Sequence, residues 1–137
     1  MALFYADASA LVKLIRDEPE SRALRAFIAD ADLVSCELVL AELPRAIRRA
    51  AAHDPGLPLA ALVGRAHELV EAVALLPVVA GLLVAAGSLA EPALRTLDAI
   101  HVAAAVDLSP LDAFLSYDER QSAAARLAGL RTLAPGG

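Results

Sequence analysis

Three aspartates and one glutamate are placed where carboxylates do chemistry. Asp7 closes the short apolar run Leu3-Phe4-Tyr5-Ala6, and Asp118 stands just past a second run, Ala113-Phe114-Leu115-Ser116. Glu42 borders an apolar stripe of Val39, Leu43, Ala46, Ile47 and Ala50, and Asp98 sits near the start of an almost wholly apolar segment. Carboxylates that converge raise one another's pKa unless a cation neutralises them. Cys36 is the only cysteine and no two histidines have ligand spacing, so an all-oxygen set favours Mg2+ or Mn2+ over zinc. Such a site suits phosphoryl chemistry, one ion activating water while a second stabilises the leaving oxygen. The chain has no Walker loop, no dinucleotide fingerprint and no Ser/His/Asp nucleophile motif.

Each acid also has a purely structural reading. Asp7, with Ser9, suits a helix N-cap, and Asp118 suits the cap of the helix that follows it. Glu42 has Arg45 and Arg49 at helical spacing for surface ion pairs. Asp98 either caps its helix beside Thr96 or faces a polar cleft, and burial without a partner would be costly. His101, one turn beyond Asp98, reads as a packed, hydrogen-bonded histidine and not as a metal ligand. Asp107 and Asp112 fall at the wrong ends of their elements. The decisive question is therefore which elements bring the four acids together.

Continuous apolar runs without alternation suit strands covered on both faces, as in a parallel sheet. Strands are expected at residues 3–6, 32–35, 75–79, 113–116 and 130–133, the third short or at an edge because it contains Pro77. Helices are expected over 8–16, 21–29, about 35–53, 58–74, 80–89, 94–106 and 119–128, the third bent locally by Pro44. Strands alternating with helices imply an α/β fold of three layers, α/β/α, around a mainly parallel sheet. In such sheets ligands bind beyond the carboxyl ends of the strands, where Asp7 falls.

With 137 residues the chain makes a single domain, residues 1–137, and 58% hydrophobic residues exclude disorder. The net charge of −5 argues against nucleic-acid binding by global charge, so any such binding needs a local basic patch; Arg45, Arg48 and Arg49 form the best one. The uncharged stretch 72–90 approaches membrane-spanning length, but Pro77 and Gly81 interrupt it. Without a signal-like N-terminus, a cytoplasmic protein is expected.

The ordered set Tyr5-Ala6-Asp7-Ala8-Ser9-Ala10-Leu11, Leu40-Ala41-Glu42-Leu43, Leu97-Asp98-Ala99-Ile100-His101 and Ser116-Tyr117-Asp118 resembles the PIN domain, more narrowly the VapC-type toxins of toxin–antitoxin systems. Each motif alone is weak, whereas their order and spacing over nearly the whole chain are specific. The resemblance implies a Mg2+-dependent endoribonuclease that cuts structured RNA and is inhibited by a cognate VapB-type antitoxin. It carries over Asp7, Glu42, Asp98 and Asp118 as metal ligands, with Ser9, Thr96 and Ser116 supporting them. Pro44, two residues after the glutamate, departs from the family pattern. The family's members are commonly homodimers. Arg45, Arg48 and Arg49 are then candidates to touch RNA phosphates or acidic groups of the antitoxin, or else solvated arginines on a helix. A PIN-like RNA-binding or scaffold protein without turnover, and a metal-dependent phosphatase on the same sheet edge, remain alternatives.

Overall fold

The computed structural model describes residues 1–137. In chain order the elements are β1 (Leu3–Ala6), α1 (Ala8–Ile15), α2 (Ser21–Ile28), β2 (Asp32–Cys36), α3 (Val39–His53) and α4 (Leu59–Ala72). There follow β3 (Ala74–Leu76), α5 (Ala80–Gly87), α6 (Thr96–Asp107), β4 (Ala113–Leu115), α7 (Glu119–Leu127) and β5 (Thr132–Leu133). The five strands form one sheet in the order β3-β2-β1-β4-β5, and every pairing is parallel.

The alternation of β1 residues explains the three layers. Phe4 and Ala6 pack with Leu11, Leu24, Leu43 and Leu62 beneath α1 to α4, while Tyr5 packs with Leu82, Val102, Phe114 and Ala125 beneath α5 to α7. With both faces covered, the central strands have no solvent face to mark with polar residues, which is why they read as unbroken apolar runs. The chain first winds outward, β1 to β2 to β3, and then returns to build β4 and β5 on the other side of β1. The direction reverses between β1 and β4, and the crevice opened at their carboxyl ends is where ligands bind in open α/β sheets.

Several boundaries shift by one to four residues from the sequence reading, and three of them have a clear physical reason or consequence. The third helix starts at Val39 instead of near Ser35, because Ser35 belongs to β2 and its hydroxyl donates to the Ala6 carbonyl of β1 at 2.7 Å. The third strand is short and at the sheet edge, as expected, but it ends at Leu76, so Pro77 lies just outside it and not within it. Helix α6 starts at Thr96, two residues later than the apolar pattern suggests.

Pro44 sits inside α3 without ending it. The acceptor its missing N–H would have served is the carbonyl of Leu40, in a turn where Leu40 itself is 51% exposed. The uncharged stretch 72–90 is divided among the end of α4, β3 and α5, and no helix is long and apolar enough to cross a membrane.

Candidate active site

The carboxyl ends of β1 and β4 place Asp7 and Ser116 side by side. Asp7 is only 1% exposed, yet both its oxygens are served. One accepts from the Ser9 hydroxyl at 2.7 Å and the Ala10 amide at 2.9 Å, which makes Asp7 the N-cap of α1; the other accepts a short bond from the Ser116 hydroxyl. Burial pushes the Asp7 carboxyl above its ordinary range against the pull of these donors, Ser116 first and then Ser9 and Ala10. Ser9 Oγ also accepts from the Tyr117 amide at 2.9 Å, and Ser116 Oγ from the Asp118 amide at 3.0 Å. The start of α1 is thereby tied to the turn between β4 and α7.

Asp118 caps α7, accepting from the amides of Arg120 at 2.9 Å and Gln121 at 3.3 Å. Its carboxylate also faces the main cleft, an open cavity of about 820 Å3 beyond the sheet edge. Capping and facing the cleft therefore coexist at Asp118. Asp98 does not cap. Helix α6 has no side-chain cap, and the half-buried Asp98 carboxylate accepts no hydrogen bond within the chain. Burial raises its pKa most, then the negative charge of Asp118; His101 opposes the rise, Glu42 adds to it to a lesser degree, and Arg95 opposes it least.

Glu42 pairs with neither Arg45 nor Arg49. It reaches from α3 across the end of the sheet to α6, where Oε1 accepts from His101 Nε2 at 2.6 Å. His101 is buried, as the sequence suggested, and its Nδ1 meets the Tyr5 hydroxyl at 2.7 Å. Burial opposes charging the imidazole, but its bonds to Cys36 and Glu42 outweigh that and leave its pKa pushed up to about 10.

The cleft thus gathers Glu42, Asp98 and Asp118, with Ser9 and Thr96, while Asp7 and Ser116 lie beneath it. Arg45 and Arg49, on the same helix as Glu42, also line it without a carboxylate partner, whereas Arg48 is exposed outside it. Two cations the sequence reading passed over join them, Lys13 and Arg95. Lys13 is 8% exposed, bonds Glu20 at 2.7 Å and stands 4.7 Å from the centre of the Tyr117 ring. Its spacing of one helical turn from Ser9 was the available signal.

No three His, Cys, Asp or Glu side chains stand close enough together in this arrangement to grip one ion. The donor set nevertheless fits a hard divalent cation. It is all oxygen, and Asp98 has an unpaired carboxylate under the repulsion of two others, a strain that a cation relieves.

An open, all-parallel sheet with acids at its switch point and helices on both faces defines an α/β protein with an acidic site at the strand ends. The sequence matches the PIN domain model over residues 4–127, so the chain belongs to the PIN-domain family. Within that family it is of the VapC type. It is 38% identical over 140 residues to Ribonuclease VapC35 of Mycobacterium tuberculosis, a match covering 98% of each chain. It is 34% identical to Ribonuclease VapC47 of the same organism over 140 residues, again 98% of each. It is also 40% identical to that organism's Ribonuclease VapC46 over 148 residues, 98% of this chain and 99% of the relative.

Proposed function

We propose that this protein is a Mg2+-dependent endoribonuclease toxin, with Mn2+ able to substitute, acting on structured RNA in the cytoplasm and held in check by a VapB-type antitoxin. The observation that carries this reading is the meeting of Glu42, Asp98 and Asp118 with unpaired arginines on one cleft at the sheet's switch point. The similarity to relatives named ribonucleases over nearly the full chain supports the substrate class.

In this reading Asp7, Glu42, Asp98 and Asp118 hold the metal. When bound, it lowers the pKa of attacking water and offsets charge developing on the phosphoryl oxygens. The remaining work falls to the chain's own groups. Ser9 and Ser116 keep the Asp7 carboxylate in one orientation, and Thr96 lines the cleft beside Asp98. Arg45 and Arg49 offer donors to the RNA phosphates flanking the reacting bond, beside Lys13, whose ammonium is shared with Glu20 and Glu18. The antitoxin's acidic groups are the competing occupants of those arginines. A homodimer accords with Val79, Leu83 and Val84, apolar side chains exposed on and beside α5.

The test is cleavage of total RNA by antitoxin-free protein, with Mg2+ or Mn2+ and with chelator. Cleavage is expected with either ion, none with chelator, and near-abolition in Asp7→Asn, Asp98→Asn and Asp118→Asn. A wild-type rate in any of these variants removes that residue from the ligand set. The second reading, RNA binding without turnover, draws on the fact that no three acids are gathered around one point. It predicts RNA binding with no metal-dependent cleavage at any concentration of either ion.

A further inference from the structure

Glu42 is the one member of the candidate ligand set that comes from the far layer, and nothing on its own helix holds it. No side chain of α3 bonds to it. A glutamate on a half-exposed helical face has three rotatable torsions and populates several rotamers unless a partner selects one. Pro44, two residues further on, removes a helical donor from the same turn. What Glu42 does have is a bond of 2.6 Å from a histidine buried in the opposite layer.

We propose that His101, steadied by Tyr5, is the positioning residue of Glu42: it fixes the aim of that carboxylate into the cleft across the end of the sheet. This rests on the nuclease reading for its catalytic consequence and on geometry alone for the pairing. The hydroxyl of Tyr5 meets Nδ1 at 2.7 Å, so the ring is gripped at one nitrogen and grips Glu42 with the other. Tyr5 is in turn fully buried, stacked on Phe114 with ring centres 5.3 Å apart and edge-on to His101 at 5.8 Å. With neutral imidazole, the Tyr5 hydroxyl donates to Nδ1 and Nε2–H donates to Glu42. With imidazolium, Nε2–H still donates to Glu42. The arrangement therefore delivers a hydrogen to the carboxylate in either state. A buried histidine needs partners for its ring nitrogens in any case; packing alone does not require that one of them be a carboxylate on a helix of the opposite layer. Groups standing behind a metal-ligating residue in this way commonly affect activity by about 10- to 100-fold.

Two measurements on the full chain test this. In protein labelled with 15N-histidine, one ring N–H proton is expected to be protected from water and shifted to low field, and to lose that shift in Glu42→Ala. The other two histidines, His53 and His67, are exposed and exchange, so the signal is assignable. Absence of such a proton in the wild type overturns the pairing. In cleavage assays, His101→Ala is expected to lower kcat about 10- to 100-fold with little change in KM. His101→Gln, which places an amide N–H near the Nε2 position, is expected to recover much of that loss, and Tyr5→Phe to cost several-fold. The double variant Glu42→Ala/His101→Ala is expected to be no slower than Glu42→Ala alone, because the histidine acts through the glutamate. A further loss equal to that of His101→Ala by itself, or a Gln variant no better than Ala, overturns the positioning role. If His101→Ala does not fold, Gln and Tyr5→Phe carry the kinetic arm. A wild type that shows the proton but never cleaves RNA removes the nuclease reading and leaves the pairing standing.

Discussion

Removing the Ser116 hydroxyl strips a donor from one oxygen of a carboxylate that is 1% exposed. The same hydroxyl accepts from the Asp118 amide, so its loss also loosens the turn into α7. Ser116→Ala is therefore expected to destabilise the protein by about 1–3 kcal/mol, measured by urea unfolding. A change within error would show that water replaces the hydroxyl and that Asp7 is not sealed. Asp98→Asn has the opposite sign. Its carboxylate bonds nothing and is repelled by Asp118 and Glu42, so neutralising it is expected to leave metal-free stability equal or higher. Thermal melts with and without millimolar Mg2+ are expected to show a metal-induced rise in wild type and a much smaller one in the variant. Equal shifts in the two proteins would count against Asp98 as a ligand. The acids themselves were legible in the sequence, since each stands at the end of a strand or the start of a helix where local pattern marks it. Their partners were not. Glu42 and His101 are 59 residues apart and Tyr5 and His101 are 96 apart, and no periodicity reports contacts at that range. Local spacing offered Arg45 and Arg49 to Glu42 instead, and tertiary packing overrode it.

Helix α3 accepts a proline in its second turn and stays continuous, which makes Pro44 a cost carried by an element and not by the site. Pro44→Ala restores a donor to the Leu40 carbonyl and a better helix former, partly offset by a more flexible unfolded chain. A net gain of about 1–2 kcal/mol is expected. Cleavage is expected to stay within about twofold of wild type, because Glu42 takes its orientation from His101. A large change in rate without a change in melting temperature would show that the proline itself aims the glutamate. Elements were the most readable level of this chain. The strands announce themselves as apolar runs because both sheet faces are covered, and the helices as amphipathic stretches between them. What blurred were the starts of α3 and α6. Ser35 looks like a cap but spends its hydroxyl on the neighbouring strand, and Leu94 continues an apolar pattern before the helix has begun.

At the scale of the whole molecule, a chain of net charge −5 can hold RNA only through a local concentration of cations. Arg45 and Arg49 are in the cleft, so replacing both by Ala is expected to weaken RNA binding. It is also expected to reduce the slope of log affinity against log salt by about 1.4 to 1.8, at about 0.7 per phosphate contact for single strands and about 0.9 for a duplex. Arg48→Ala, outside the cleft, is expected to leave that slope alone. Filter binding across a salt series distinguishes the three proteins, and identical slopes would make the two cleft arginines bystanders. The cleft has one further property. Its lining comes from residues 8–49 and 95–118 and from nothing between them. No early portion of the chain holds a working fraction of it. During synthesis, Asp7 and Glu42 emerge long before Asp98, and Asp118 needs the first turn of α7 behind it to be held by its capping bonds. Under the nuclease reading, cleavage is therefore expected only after residues 95–118 have joined the earlier part of the chain. The cleft is completed only when the returning half of the sheet docks against β1, so a chain terminated before Asp98 is expected to carry no complete site.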